Sequence, residues 1–250
     1  VAGLLLGACS FCAMIADARS FTANQVSRAE ILAAIEGFRE EYKTERITEA
    51  LDEIQDYNSD ILYVAGDLHI EGDLDLGAEG AFLLIVNGTL RVDGAYTDQD
   101  DPETYLLVTG DMHARDVVTA GWLEVHGDLH TGRLIGDYND CSAHIGGDVL
   151  ADLFYGEEHF FTIEGELEAD VVVGRPRLMI DDEPDGIDLD DPRLLEHFDR
   201  KLLRILEDTA DDGTPIIEVD GIENFREVKS RVMQGVPLKT PQVVPSTSRS

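Results

Sequence analysis

LLVTGDMHARDVVTAGWLEVHGDLHTGRL, residues 106–134, holds one phrase twice, VTGDMH and VHGDLH. Around each glycine, apolar and polar residues alternate, which places every second side chain on one side of an extended strand. Aligned on that glycine, four more segments share the pattern: LYVAGDLHI, LIVNGTLRV, AHIGGDVLA and FTIEGELEA. The anchor glycines are Gly66, Gly88, Gly110, Gly127, Gly147 and Gly165, separated by 22, 22, 17, 20 and 18 residues. A period of that length is about one coil of a short solenoid.

Four and two residues before each anchor, and two and four after it, the side chains are apolar or small. The first three coils give Leu62, Val64, Leu68, Ile70; Leu84, Val86, Leu90, Val92; and Leu106, Val108, Met112, Ala114. Coils four to six give Leu123, Val125, Leu129, Thr131; Ala143, Ile145, Val149, Ala151; and Phe161, Ile163, Leu167, Ala169. One such strand cannot hide its apolar side, but coils stacked about 4.8 Å apart hydrogen-bond to one another and share an interior. The expected fold is mainly β, a single-stranded parallel β-helix of about six coils, with helical segments capping both ends. Uneven spacing extrudes extra residues at turns, most of all in the acidic loop from Tyr96 to Tyr105.

Outside the repeat the period changes. Residues 1–26 read as an apolar leader or signal segment, and 27–58 as an N-terminal helical cap that opens on the capping box Ser27 to Glu30. The β-helix occupies 61–174, followed by an acidic linker at 175–190. A C-terminal helical cap fills 191–236. It begins with a helix after Asp191-Pro192 that carries Leu194, Leu195, Phe198, Leu202 and Leu206. A short strand, Ile216 to Val219, and a second helix, Ile222 to Gln234 closed by Gly235, complete it; 237–250 has the composition of a disordered tail.

Charge limits the partners. Nineteen Lys plus Arg against 52 Asp plus Glu leave a net charge of −33, which opposes nucleic-acid phosphates and anionic lipid and favours a basic protein or cations. Direct nucleic-acid binding is therefore not expected, and the opening apolar run of 16 residues is too short for a membrane span. The expected location is cytoplasmic, with export or lipid anchoring through Cys9 as the alternative if the apolar run is a true signal.

Like positions of successive coils stack into columns, so chemistry must be sought column by column. The residue after each anchor gives Asp67, Thr89, Asp111, Asp128, Asp148 and Glu166. Two residues on stand His69, Arg91, His113, His130, Leu150 and Glu168. Asp67, His69, Asp111, His113, Asp128, His130, Asp148 and Glu166 are the candidate partner-binding residues, an outward wall rich in Asp and His. His113 and His130, beside Asp111 and Asp128, are weak metal-ligand candidates. Spacing alone seldom makes a ligand set, so no metal and no cofactor is expected. His126 and His144 read as surface or turn residues. A third column is apolar: Tyr63, Ile85 and Leu107 form an outward patch that the terminal helices are placed to cover. No serine-hydrolase elbow, zinc-protease, P-loop or dinucleotide motif occurs, so the chain is not expected to be an enzyme.

VAGDLHIEGDLDL and LEVHGDLHTGRL resemble the coils of bactofilins, polymer-forming bacterial cytoskeletal proteins built on a β-helix. The resemblance covers about residues 61–174 and implies the fold. Uneven coils, acidity and helical extensions are more like the bactofilin-like proteins that accompany bacterial toxins as immunity partners. That likeness implies a non-catalytic binding protein, monomeric or a small homo-oligomer, whose partner is a basic protein or itself. A filament-forming role is the alternative, and a metal-dependent β-helix enzyme comes third.

Overall fold

The computed structural model describes residues 24–25, 29–30, 60–78, 81–137, 140–156, 159–182, 184–209, 212 and 215–240. Strand β1 (Asn24–Gln25) is followed by the coils. The first comprises β2 (Asp60–Val64), β3 (Leu68–Ile70) and β4 (Leu74–Asp75); the second comprises β5 (Ala81–Val86) and β6 (Leu90–Thr97). Then come β7 (Tyr105–Val108) with β8 (Met112–Thr119), β9 (Trp122–Val125) with β10 (Leu129–Gly136), β11 (Ser142–Ile145) with β12 (Val149–Tyr155), and β13 (Phe160–Ile163) with β14 (Leu167–Val173). Each anchor glycine sits in the turn between the two strands of its coil. The strands before the glycines form one parallel sheet, extended by β15 (Arg177–Met179). Those after the glycines form the other, so the chain is a parallel β-solenoid of six coils.

The register puts equivalent repeat positions on top of one another: His130 pairs with His113, and His113 with Arg91. Of the 24 positions expected to face inward, 20 are buried in the main apolar core, and Leu167 and Ala169 are half-buried against it. Beyond the aligned segments the strands carry adjacent apolar pairs. Val117, Leu134, Phe154 and Val172 belong to the interior, whereas Val118, Ile135, Tyr155 and Val173 form a second apolar cluster. A sheet buried on both faces loses its alternation, as here.

That second cluster is completed by the C-terminal unit. It contains α1 (Leu194–His197), a 3-10 turn at Arg200–Leu202, the hairpin β16 (Leu203–Thr209) and β17 (Pro215–Ile222), and α2 (Phe225–Met233). Leu194, Phe198, Leu202, Val219, Val228 and Val232 pack against the coils. The expected C-terminal capping takes a particular form. The unit lies along the flank, with α2 beside β6 and β8, while Ile187 bridges to Val173 at the last rung.

Several expectations are corrected. The helix expected from Pro192 through Leu206 stops after one turn, because Leu203–Thr209 pairs antiparallel with Pro215–Ile222. The apolar residues 194, 195, 198, 202, 203, 205 and 206 fit either period, and the partner strand decides between them. The second helix starts at Phe225, capped by the Asn224 side chain, which accepts from the Glu227 N–H; Gly235 ends it at φ +67°, a conformation open to glycine. The acidic linker is not wholly a linker, since Arg177–Met179 forms a seventh rung beside β13. Asn24–Gln25, within the expected leader, pairs antiparallel with Leu62 and Tyr63. The tail expected to be disordered from residue 237 is packed at its start: Leu238 is buried in the second apolar cluster and the Thr240 N–H donates to Asp199 at 2.9 Å. Ala29 and Glu30 are helical; the rest of the expected N-terminal helices, Cys9 and the residues after Thr240 lie outside the described residues.

Candidate binding face and its polar columns

The aspartate column is first of all a piece of the scaffold. Asp67, Asp111, Asp128 and Asp148 each turn one carboxylate oxygen to the next coil, accepting from the backbone N–H of Thr89, Asp128, Asp148 and Glu166 at 2.8, 3.0, 2.9 and 2.8 Å. A carboxylate suits this role because it accepts a charge-assisted bond from a turn N–H that no strand reaches. The same contact accounts for four of the six anchor glycines, Gly88, Gly127, Gly147 and Gly165. A Cβ on Gly127, Gly147 or Gly165 would collide with the carboxylate of Asp111, Asp128 or Asp148 one coil below. Thr89 interrupts the ladder at the second coil.

The next column faces outward and carries His or Arg through four coils. His69 contacts Asp93 at 2.9 Å, Arg91 Nε donates to the same carboxylate at 3.1 Å, and the rings of His113 and His130 stack with centroids 4.6 Å apart. Arg91, Asp93, His113, Arg115 and His130 line a cleft of about 410 Å³. Among the described residues, no three His, Cys, Asp or Glu side chains converge as a metal-ligand set, at His113 and His130 or elsewhere.

Two residues further along the strand, the outer face becomes a clamp. Asp116 is 2% exposed and accepts from Arg133 Nε at 2.6 Å, Arg133 Nη2 at 2.8 Å and Arg115 Nε at 2.7 Å. The same guanidinium groups reach across to the end of α2. Arg115 donates to the Met233 carbonyl at 2.7 Å, and Arg133 to the Val236 carbonyl at 2.7 Å. The last carbonyls of a helix lack intrahelical donors and carry its negative end, so two arginines there satisfy both hydrogen bonding and charge.

In coils five and six the place that Arg115 holds in coil three is acidic, whereas that of Asp116 and Arg133 is apolar. Leu150 pairs with Glu168, Ala151 with Ala169 and Leu153 with Val171, which sets Asp152 beside Asp170. Asp148, Asp152, Glu166, Glu168 and Asp170 are all exposed, and no salt bridge among the described residues reaches any of them. Asp148 and Glu166 were among the expected binding residues. Glu168, Asp152 and Asp170 were not, although carrying the alignment two residues further shows the Asp152 and Asp170 column.

The apolar column proves to be interior to the folded chain. Ile85 and Leu107 are fully buried, and Tyr63 is half-buried with its hydroxyl accepting from Asn87 at 3.0 Å. An open patch for another protein is thereby excluded at Ile85 and Leu107. The terminal helices expected to cover it at the N-terminal side fall outside the described residues. Of the two residues read as surface or turn, His126 does lie in the turn after β9, its side chain 14% exposed, whereas His144 lies within β11 and its side chain is 5% exposed. Buried Glu124 accepts from the Tyr105 hydroxyl and lies 3.6 Å from His126, while His144 meets Glu164 at 3.0 Å. A covered face tolerates these groups because they pair with one another.

Two ionisable groups are held neutral by burial. The His159 imidazole, fully inaccessible, is lowered to about 4, and the Cys141 thiol is pushed up to about 12. Among the described residues no helix is long and apolar enough to cross a membrane. Searches against family models, curated proteins and solved structures found no match to this chain.

Proposed function

We propose that this protein is a non-catalytic binding protein whose acidic outer face engages a basic protein partner, in an immunity-type or scaffold role. The observation that carries this reading is the group of five exposed carboxylates, Asp148, Asp152, Glu166, Glu168 and Asp170, on adjacent rungs, which no salt bridge among the described residues reaches. Carboxylates about 5 Å apart repel by roughly 1 kcal/mol even at the dielectric of water, and a lysine or arginine from outside relieves that repulsion. Such a face speeds encounter with a basic surface and selects against acidic ones.

Affinity capture from the native cell extract, followed by calorimetry on the captured protein, tests the reading. A basic partner that binds more weakly as salt rises, and that loses affinity to Asp152→Asn/Glu168→Gln/Asp170→Asn, is the expected result. Recovery of the chain's own polymers alone, with scattering that grows with concentration, would favour a filament instead.

A further inference from the structure

The β16–β17 hairpin extends from the flank as a two-stranded arm. Leu206, Ile216 and Ile217 are 49, 37 and 44% exposed on it. The register sets Leu206 and Ile216 on one face and Ile217 on the other, so apolar groups flank the ladder on both sides. A two-stranded ribbon is marginal by itself, and its outer edges, unpaired among the described residues, are a template for a further strand. At the foot of the arm, Gly174, Arg175, Asp188, Asp190, Asp220 and Gly221 surround a cleft of about 460 Å³. The basic groups nearby are committed: Arg175 to Asp188 at 3.1 Å, Arg204 to Glu223 at 2.7 Å and to Asp220 at 3.4 Å, and Arg200 to Glu207. Asp190 meets no cation among the described residues.

We infer that the outer edge of β17, together with this cleft, receives an extended segment of the partner in which apolar and basic residues alternate. The inference rests on the proposed basic partner and names where its chain lies. Backbone hydrogen bonds to β17 supply affinity, apolar side chains cover Leu206, Ile216 and Ile217, and a lysine or arginine enters the cleft beside Asp190 and Asp220. A second copy of this chain is a poor occupant, because Glu207, Asp208 and Glu218 would meet their own like in a molecule of net charge −33.

The test uses two synthetic peptides of about ten residues and equal charge, one alternating Lys and Val and one alternating Lys and Gly. With the full chain at physiological ionic strength, the Lys-Val peptide is expected to bind at least about tenfold tighter and to slow hydrogen exchange along β17. Leu206→Ser/Ile217→Ser and Asp190→Asn/Asp220→Asn should each weaken it by about tenfold, and all four positions are exposed or line an open cleft, so the variants should fold. Equal binding of the two peptides, or β17 left unprotected, overturns the inference. Loss of binding only in Asp152→Asn/Glu168→Gln/Asp170→Asn also overturns it, while leaving the acidic-face reading standing. β17 protected by self-association without peptide would assign the edge to a second copy and overturn it as well.

Discussion

Coils three and four and coils five and six present the same strand positions to the outside and use them differently. In the former, Arg115, Asp116 and Arg133 form a buried ionic clamp that holds the end of α2. In the latter, the same stretch of strand reads Asp152-Leu153 and Asp170-Val171: the leucine and valine join the second apolar cluster, and the acids stand in water. Cations in this chain are few, and Arg115 and Arg133 are spent on fastening the solenoid to the C-terminal unit. Where they are missing, the scaffold leaves an unbalanced surface, which is the property a basic partner can use.

The largest test of that contrast is Asp116→Ala. Removing the buried carboxylate leaves two guanidinium groups facing each other, so unfolding should be easier by about 3–5 kcal/mol, with faster hydrogen exchange in α2. A loss below about 1 kcal/mol would mean that the clamp does not hold the helix. Acid comes next, and it acts at coil six. His159 is neutral when folded and free to protonate near 6.5 when unfolded, so it adds no pH dependence above that value. As pH falls from 6.5 to about 4, only the unfolded chain takes up the proton, and stability drops by on the order of 3 kcal/mol. Denaturant titrations across this window should lose that component of slope in His159→Asn.

Gly147→Ala is expected to cost about 1–3 kcal/mol, because the new methyl meets the Asp128 carboxylate. Combining it with Asp128→Ala should recover only part, since the Gly127 carbonyl carbon is also within 2.8 Å of the added carbon. Fully additive effects would contradict the ladder. The smallest effect belongs to the bare coils: Asp152→Asn/Asp170→Asn should leave melting within about 0.5 kcal/mol of the parent or raise stability slightly. A larger loss would show those acids to be structural.

The solenoid was legible because its rule repeats. Six glycines with apolar residues at fixed offsets overdetermine the coils, and even the irregular spacings did not disturb the inward set. The site was less legible, because columns give position without showing what a side chain touches. Asp111 and Asp128 looked like a binding wall, yet each spends one oxygen on the coil above; His144 looked like a surface or turn residue, yet it is buried within β11. The C-terminal unit has no repeat to average over, and Leu203–Leu206 carries an apolar pattern that suits helix or strand equally. Nothing local in the sequence ties Arg115 and Arg133 to a helix end about a hundred residues away.

Carboxyl labelling of the protein alone and bound to its captured partner, read residue by residue, tests the central claim most directly. Protection of Asp152, Glu168 and Asp170 on binding, with Glu71 and Asp73 of the first coil still reactive, is the predicted result. Unchanged labelling at coils five and six while the partner remains bound would contradict it.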